Sequence, residues 1–359
     1  MPEIIDLYDT YTLLMAIQKI PKPTFFLRDT FFPRRDFSPT EHVQIDYRKQ
    51  QRLAAKFIDK NTGPQVIQRQ GFDTRDFIAP EVGGSRVMTV DDIIRRYIGE
   101  SPYTARRPVD RAAEIINTDL LELDTFVGRA EEVMAAQTLL TGAVNGYLPA
   151  VGGDILVQIN FAAALGQTIN NITPSGPWSA AGSPLTDLKN AHYQVAQQST
   201  IWPNLVVMDP DAFDIFMNNA QVTKVFQAYR GDSGSQIGVI KPEMMNDSVY
   251  FAGHLREPNL DIYVYADWYI NPATGNSTPF LPSKTVIIGN NSSSNLLYYG
   301  AITLWQGDPA SGSFETYVDT PRVPRVFADI KPSKRYLEMY SRVLTVPQDL
   351  TEWAVITIS

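Results

Sequence analysis

The sequence predicts an α+β fold, in which one unusually long helix precedes a region where short strands alternate with helices. Residues 110–141 carry apolar side chains at three- and four-residue spacing, which is the period of a helix. Residues 151–330 contain short apolar runs bounded by turn residues, which is typical of strands. With 359 residues and 44% hydrophobic content, the chain can bury a substantial core in two or three domain-sized units.

The long helix is predicted over residues 110–141, after Pro108 and before Gly142. At the rise of a regular helix it is about 45 Å long, nearly three times the usual length, so we expect it to act as a strut. Its apolar stripe consists of Ile116, Leu120, Leu123, Val127, Ala130, Met134 and Gln137. We expect Leu120 and Leu123 to be core residues and not interface residues.

Start signals predict three further helices. Thr89 followed by Asp92 forms a capping box that opens a helix at about 89–98. Ser-Pro at 183–184 and Asp-Pro at 209–210 place a capping side chain before a proline, which favours the first helical position.

Strands are predicted from apolar runs in the second half of the chain. These runs are Ile155–Ile159, Leu205–Met208, Ile262–Ala266, Thr285–Gly289, Leu296–Trp305, Tyr336–Val346 and Trp353–Ile358. We expect the last two to pack beside the long helix and to close a domain that opens near residue 100.

The N-terminal region lacks the periodicity of a folded unit. Residues 1–17 predict a short amphipathic helix, but residues 21–37 mix prolines with five phenylalanines and three arginines. Because no periodic partner for these aromatic side chains is visible in the sequence, we expect them to be buried by neighbouring copies of the chain. We therefore predict that the strap, residues 25–37, is ordered only in assemblies. Deleting residues 1–37 should then leave a folded monomer that cannot assemble.

The predicted subunit-interface residues in this strap are Arg28, Phe31, Phe32, Arg34 and Arg35.

A long excursion follows the strap. Val43, Ile45 and Tyr47 alternate with polar residues and predict a strand. Residues 48–88 are polar and contain turn signals, so we expect a two-stranded loop that is larger than compact domains usually contain.

Composition and charge exclude several classes of protein. The chain has no cysteine, which excludes disulfides and thiolate metal sites. Its net charge is −8, and residues 151–330 hold 8 basic against 15 acidic residues, which argues against a dedicated nucleic-acid binder. The sequence has no signal-peptide pattern and no run of about twenty apolar residues, so we expect it to be made and kept in a cytoplasm.

No catalytic, cofactor or metal site is predicted. Gly231-Asp232-Ser233-Gly234 matches the string around a serine-protease nucleophile, but none of the three histidines lies in a motif that would supply its base. Asp209, Asp211 and Asp214 lack the glycine and glutamate of a calcium loop, and helix capping accounts for Asp209 better.

A glycine-rich turn at residues 231–238 predicts a second contact between copies. The turn follows an amphipathic helix, and its glycines and serines suit a crowded ring in which large side chains would clash. We therefore expect it near the centre of a ring of subunits, where Arg230 neutralises Asp232 and both belong to the subunit interface.

The chain resembles the major capsid proteins of tailed bacteriophages, specifically the lambda-type family called major capsid protein E. Five stretches carry this resemblance in order from about residue 25 to the C-terminus. They are Phe26–Phe32, Asn170–Gly176 with Trp178, Val207–Pro210 leading to Phe216, Tyr229–Gly231, and Phe280–Pro282 followed by Ile288–Asn290.

The resemblance implies the Hong Kong 97-type phage capsid fold, divided into an N-terminal arm at 1–45, an E-loop at 46–88, a peripheral domain with the spine helix at 89–150 and 331–359, and an axial domain at 151–330. It implies a structural protein that self-assembles into hexamers and pentamers of an icosahedral shell around double-stranded DNA, in the host bacterial cytoplasm. An acidic wall suits this role because it does not grip the packed polymer.

Separate scaffold and portal proteins, and a decoration protein, are the expected partners, with no sequence-specific DNA contact and no membrane. The alternatives are the shell of an encapsulin-like cellular compartment and, from another class, a serine hydrolase built around Ser233.

Overall fold

The computed structural model describes residues 10–19, 25–47, 54–55, 57, 71–94, 107–148, 155–179, 182–199, 201–224, 243–246, 248–305, 314–329 and 334–358. Within these residues, none of the helices is both long enough and apolar enough to cross a membrane.

Helices and strands are both distributed along the whole chain. The helices are α1 (Thr10–Lys19), α2 (Phe26–Phe31), α3 (Val90–Ile94), α4 (Pro108–Thr141), α5 (Phe161–Leu165), α6 (Pro184–Ser199) and α7 (Pro210–Asn218). The strands are β1 (Arg34–Phe37), β2 (His42–Tyr47), β3 (Asp73–Ile78), β4 (Glu81–Thr89), β5 (Ala143–Leu148), β6 (Ile155–Asn160), β7 (Asn170–Ile172), β8 (Leu205–Met208), β9 (Glu243–Asn246), β10 (Val249–Leu255), β11 (Leu260–Tyr265), β12 (Trp268–Ile270), β13 (Ser277–Pro279), β14 (Thr285–Gly289), β15 (Leu296–Tyr299), β16 (Ile302–Trp305), β17 (Phe314–Tyr317), β18 (Val323–Asp329), β19 (Lys334–Val346) and β20 (Ala354–Thr357).

Two large sheets organise these strands. The first has five strands in the order β1-β15-β19-β18, and β4 also pairs with β19. The second has seven strands in the order β7-β20-β14-β8-β11-β10-β9. Hairpins β2–β3, β5–β6, β12–β13 and β16–β17 form smaller two-stranded sheets. The mixture of helices with parallel and antiparallel strand pairs is the α+β arrangement that the sequence predicts.

Helix α4 confirms the predicted strut. It has 34 residues, a proline in its first turn, and Gly142 in the left-handed conformation (φ 68°) at its C-terminal end, where the glycine N–H donates to the carbonyl of Thr138. Its rise gives a length of about 51 Å. The first half of the apolar stripe, from Ile116 to Val127, is buried against β4 and β19, which confirms these positions as core.

The second half of the stripe differs from the prediction. Met134 is buried, but Ala130 and Gln137 are only half-buried, and all three line a groove between the helix and hairpin β12–β13. The stripe repeats every seven residues, and such a repeat drifts around the axis of a straight helix, so its two ends face different neighbours.

The predicted helix starts are confirmed in detail. The Thr89 N–H donates to Asp92 Oδ2 at 2.9 Å, and the Asp92 N–H returns to Thr89 Oγ1 at 3.4 Å. Asp209 caps α7 by accepting from the Asp211 N–H at 3.1 Å. Helix α6 begins at Pro184, as predicted.

The final strand corrects one expectation. Strand β19 packs beside α4 as predicted, but β20 pairs with β14 and β7 inside the seven-stranded sheet. The buried apolar run Ala354–Ile356 lies inside the seven-stranded sheet, between β14 and β7. Strands β15 and β18 also pair with β19, so the predicted boundary at residue 330 cuts the five-stranded sheet.

We expect Leu120→Ala to lower the free energy of unfolding by about 2–5 kcal/mol, because Leu120 is fully buried and the substitution leaves a cavity. Leu121→Ala is the matched control, since the neighbouring side chain on the same helix is 41% exposed and should lose much less. Urea unfolding of both variants measures the difference. Equal losses would show that the apolar face of the helix is wrongly placed.

Candidate assembly site

The strap of residues 25–37 is folded onto its own chain. Phe25, Phe26, Phe31 and Phe32 are all buried, and only Phe37 of the five phenylalanines is half-buried. The prediction that these side chains have no partner within the chain is therefore wrong. The partners are the long helix α4 and segments that lie up to 264 residues further along the chain.

Glu132 of α4 anchors the start of α2. Its Oε1 accepts from the Leu27 N–H and its Oε2 from the Arg28 N–H, both at 2.8 Å, and Tyr265 Oη donates to Oε1 at 2.9 Å. The first N–H groups of a helix have no partner within the helix, and here a buried carboxyl group supplies one. The contact joins the strap, the long helix and β11.

Glu131 is the centre of a buried ionic cluster beside this anchor. Arg28 Nη1 donates to Glu131 Oε2 at 2.8 Å, while Arg322 donates from Nη1 at 2.6 Å and from Nη2 at 3.0 Å. Burial acts to raise the pKa of Glu131, but the guanidinium groups of Arg322 and Arg28 outweigh it and hold this pKa below its usual value.

The cluster extends on both sides of Glu131. Arg322 Nε donates to Asp124 Oδ1 at 2.9 Å, and Arg28 also pairs with Asp29 at 2.8 Å. Tyr299 Oη donates to Glu131 at 3.2 Å. One network therefore ties the strap, two turns of α4, the five-stranded sheet and the loop before β18 into a single unit.

Aromatic packing completes the attachment of the strap. Phe31 packs directly on Gly289, where an added Cβ would lie 2.5 Å from the ring, and the backbone carbonyl of Phe31 accepts from Ser293 Oγ at 2.6 Å. Phe25 covers Gly128 of α4 so closely that any side chain at Gly128 would clash with its ring. Gly289 is one of the residues that carry the family resemblance, and its role here is close packing.

Glu132 makes stability depend on pH. Burial raises the pKa of Glu132 to about 7, although the three donors act in the opposite direction. Since this pKa lies above the ordinary value of 4.5, the native chain holds the proton more tightly than the unfolded chain does. The contribution to stability, up to about 3 kcal/mol, is fully present below pH 4.5 and is lost as the pH rises through about 7.

We expect Glu132→Gln to flatten the dependence of stability on pH, because glutamine does not titrate. Urea unfolding of the parent and the variant at about pH 5 and pH 8 measures the two slopes. Parallel slopes for both proteins would contradict the assignment of this titration to Glu132.

The predicted interface residues divide into three groups. Arg28, Phe31 and Phe32 are buried in the core of the chain, which corrects their assignment to a subunit surface. Arg34 and Arg35 are exposed on β1, at the edge of the five-stranded sheet, and stay predicted interface residues. Arg230, Asp232 and the turn at 231–238 lie outside the described residues, as does Ser233.

The sequence reading missed the acidic residues Asp124, Glu131 and Glu132 and their partner Arg322. The sequence does indicate two of these acidic residues, because Glu131 and Glu132 lie between the stripe positions Ala130 and Met134. Adjacent acids at that place indicate buried ion pairing or capping, since unpaired carboxylates are not tolerated in a core.

Asp209 caps a helix, as the sequence predicts. Its Oδ2 accepts from the N–H groups of Asp211 and Lys284, both at 3.1 Å, which is a capping arrangement. Among the described residues, no group of three or more His, Asp or Glu could hold a metal ion.

The fold is the Hong Kong 97-type fold of phage capsid proteins. The structure is similar over 97% of both chains to a crystal structure assigned as the capsid protein of an Escherichia coli CFT073 prophage, with a TM-score of 0.67 and 16% identity. A phage-related protein from Bordetella bronchiseptica gives a TM-score of 0.55 at 13% identity, with 97% and 96% of the two chains covered.

The chain belongs to the phage major capsid protein E family, whose model matches residues 9–358. It is 24% identical over 301 residues to the major capsid protein of Escherichia phage lambda, covering 83% of this chain and 84% of the relative. The major capsid protein of Enterobacteria phage P21 is 23% identical over 346 residues, covering 95% and 96%.

The family resemblance predicted from the sequence is thereby confirmed. The protein is a structural component of a phage capsid and not an enzyme, and its location is the virion capsid. This family match does not favour either alternative, the encapsulin-like compartment or the serine hydrolase.

Proposed function

We propose that this protein forms the hexamers and pentamers of an icosahedral shell that encloses double-stranded phage DNA without sequence-specific binding. The observation that carries this proposal is the family match over residues 9–358. The strap is fixed on the long helix of the same subunit. The acidic balance of residues 151–330 supports a wall that does not hold the packed polymer.

The proposal includes partners and a place of assembly. The subunits assemble in the host bacterial cytoplasm with separate scaffold and portal proteins, and a decoration protein is a further candidate partner. The arm at 1–45, E-loop at 46–88, peripheral domain at 89–150 with 331–359 and axial domain at 151–330 are its working parts. In this proposed division, β15 and β18 come from the axial range and pair with β19 of the peripheral range.

Electron microscopy of the expressed protein tests the proposal, first alone and then with the neighbouring genes. Closed shells or regular capsomers are the expected result. A protein that stays monomeric in every combination would overturn the proposal. Labelling with a serine-reactive fluorophosphonate tests the hydrolase alternative, and we expect no labelled product.

Arg34 and Arg35 are proposed as contacts between subunits. Strand β1 pairs with β15 on one side, and on its other side no described strand pairs with it, so this edge can meet a neighbour. Both arginines are exposed, and the one ion pair of Arg35 with a described residue is a long contact of 3.7 Å with Asp29. Arg230 and Asp232 are proposed as a second contact, near the centre of each capsomer.

We expect the double variant Arg34→Ala, Arg35→Ala to fold normally but to assemble poorly, because exposed arginines add little to the stability of a monomer. The double lysine variant is the control, since it retains both charges. Particle yield after sedimentation and the thermal midpoint of the monomer are the two measurements. Normal particle yield from the alanine variant would show that Arg34 and Arg35 do not contribute to the interface.

A further inference from the structure

A groove of about 680 Å³ lies between the long helix and hairpin β12–β13. Phe25 of the strap lies within its lining, and Asn145 and Gly146 of β5 contribute to one wall. The volume falls within the range of sites that hold several side chains or a small ligand. It is separate from the ionic cluster around Glu131, which borders a different cavity.

The hairpin presents two large apolar side chains at this groove. Tyr269 packs inward on Phe280, with ring centroids 5.1 Å apart, and fixes the strand on the core. Side chains alternate along a strand, so the two neighbours of Tyr269 point away from that core. Trp268 is 58% exposed and Ile270 is 73% exposed.

The opposite wall comes from a second face of the long helix. Phe126 is 52% exposed, and Ala130 and Gln137 lie one and three turns further along the same wall. Arg129 also lines the groove, and its guanidinium group makes no hydrogen bond or ion pair with any part of the chain that the structure describes. The groove therefore combines exposed apolar surface with one unpaired cation.

We infer that this groove is an assembly contact that is filled by a segment of a second copy of the chain. The segment inserts apolar side chains between Phe126 and Trp268 and places a carboxylate against Arg129. This inference rests on the proposed function, because a shell brings every subunit against identical neighbours. A contact between unlike patches of identical subunits is also the kind that closes into rings.

Charge and polarity favour a second copy over packed DNA as the occupant. The chain carries 39 acidic against 31 basic residues, so a neighbouring copy readily supplies a carboxylate for Arg129. DNA would require several cations at the site and would leave Trp268 and Ile270 without an apolar partner. Large exposed apolar side chains around a concave surface are typical of protein interfaces.

The absence of cysteine allows a direct test by site-specific cross-linking. Ile270→Cys is labelled with benzophenone maleimide, assembled with the neighbouring genes if these are needed, and irradiated. We expect a covalent dimer from assembled particles but not from dilute monomer, and mass spectrometry should locate the attachment on a peptide of this chain that contains an acidic residue. Particles that assemble and give no chain-to-chain product would overturn the inference.

Loss of assembly by the labelled protein is also informative. The same label on Trp202→Cys, another exposed aromatic position, is the control. Failure to assemble with the label at residue 270, but not at residue 202, supports burial of the groove between copies. If the label prevents assembly at both positions, the unlabelled variants test the inference instead.

Those variants are Ile270→Ser and Arg129→Glu, with Arg256→Glu as the control at another exposed arginine. We expect each groove variant to reduce particle yield about tenfold or more, because central contacts of an interface carry most of its affinity, and to leave the thermal midpoint of the monomer unchanged. Normal yield from both groove variants would contradict the inference. Absence of particles from the parent protein would instead contradict the proposed function.

Discussion

Replacing Glu131 by alanine is expected to lower the free energy of unfolding by about 3–5 kcal/mol, because it leaves two arginine side chains buried without their main partner. Arg28 and Arg322 both lie in the core and both donate to this carboxylate, at distances of 2.6–3.0 Å. Neither guanidinium group can lose its charge at any ordinary pH, so the cost of burying it is fully felt. Urea unfolding followed by circular dichroism measures the effect.

Glu122→Ala provides a matched control on the same helix. Glu122 pairs with Arg86, but both side chains are about half exposed to solvent. Exposed ion pairs contribute about 0–1 kcal/mol, so the control should remain close to the parent protein. If both alanine variants lose the same small amount, the cluster around Glu131 does not stabilise the fold as its geometry indicates.

The elements of this fold that the sequence predicted well are those set by neighbouring residues. The 34-residue helix α4, the capping box at Thr89 and the Asp209 cap follow from spacing within one or two turns. The run predicted at Leu296–Trp305 forms two strands separated by Gly300 and Ala301, whose N–H groups donate to the carbonyls of Arg342 and Thr40. Gly300 is the local signal for this break, and the two accepting carbonyls lie far from it along the chain.

The burial of the strap within its own chain could not be predicted, because its partners lie far away in the sequence. The strap was expected to need neighbouring subunits, yet its N–H groups bind Glu132, more than a hundred residues away. An aromatic segment without periodicity indicates only that burial is required. Whether the burying surface belongs to the same chain or to another depends on tertiary contacts, and pattern reasoning does not contain them.

The same limit applies to the choice between sheets. Tyr336–Val346 and Trp353–Ile358 have similar strand patterns, but the first lies beside α4 and the second is in the seven-stranded sheet. Burial does not separate the two strands, since Ala354–Ile356 and Val343–Val346 are both buried without interruption. The choice between the two sheets depends on pairing with strands far along the chain, and the sequence pattern does not contain those partners.

Deleting residues 1–37 is expected to prevent native folding, and not merely assembly. The deletion removes Phe25, Phe26, Leu27, Phe31 and Phe32, which are all buried. At about 2 kcal/mol for each buried side chain, the loss approaches 10 kcal/mol, which is comparable to the whole stability of a typical domain. It also removes Arg28 and so leaves Glu131 with one guanidinium partner fewer.

The truncated protein should therefore show an expanded hydrodynamic size and no cooperative urea transition, measured by size-exclusion chromatography and circular dichroism. Full-length Phe31→Ala is the graded comparison, with an expected loss of about 3–5 kcal/mol from its cavity beside Gly289. A truncated chain that unfolds cooperatively near the parent midpoint would mean that the strap is dispensable for the monomer. In that case its burial would serve assembly alone, as the sequence pattern first indicated.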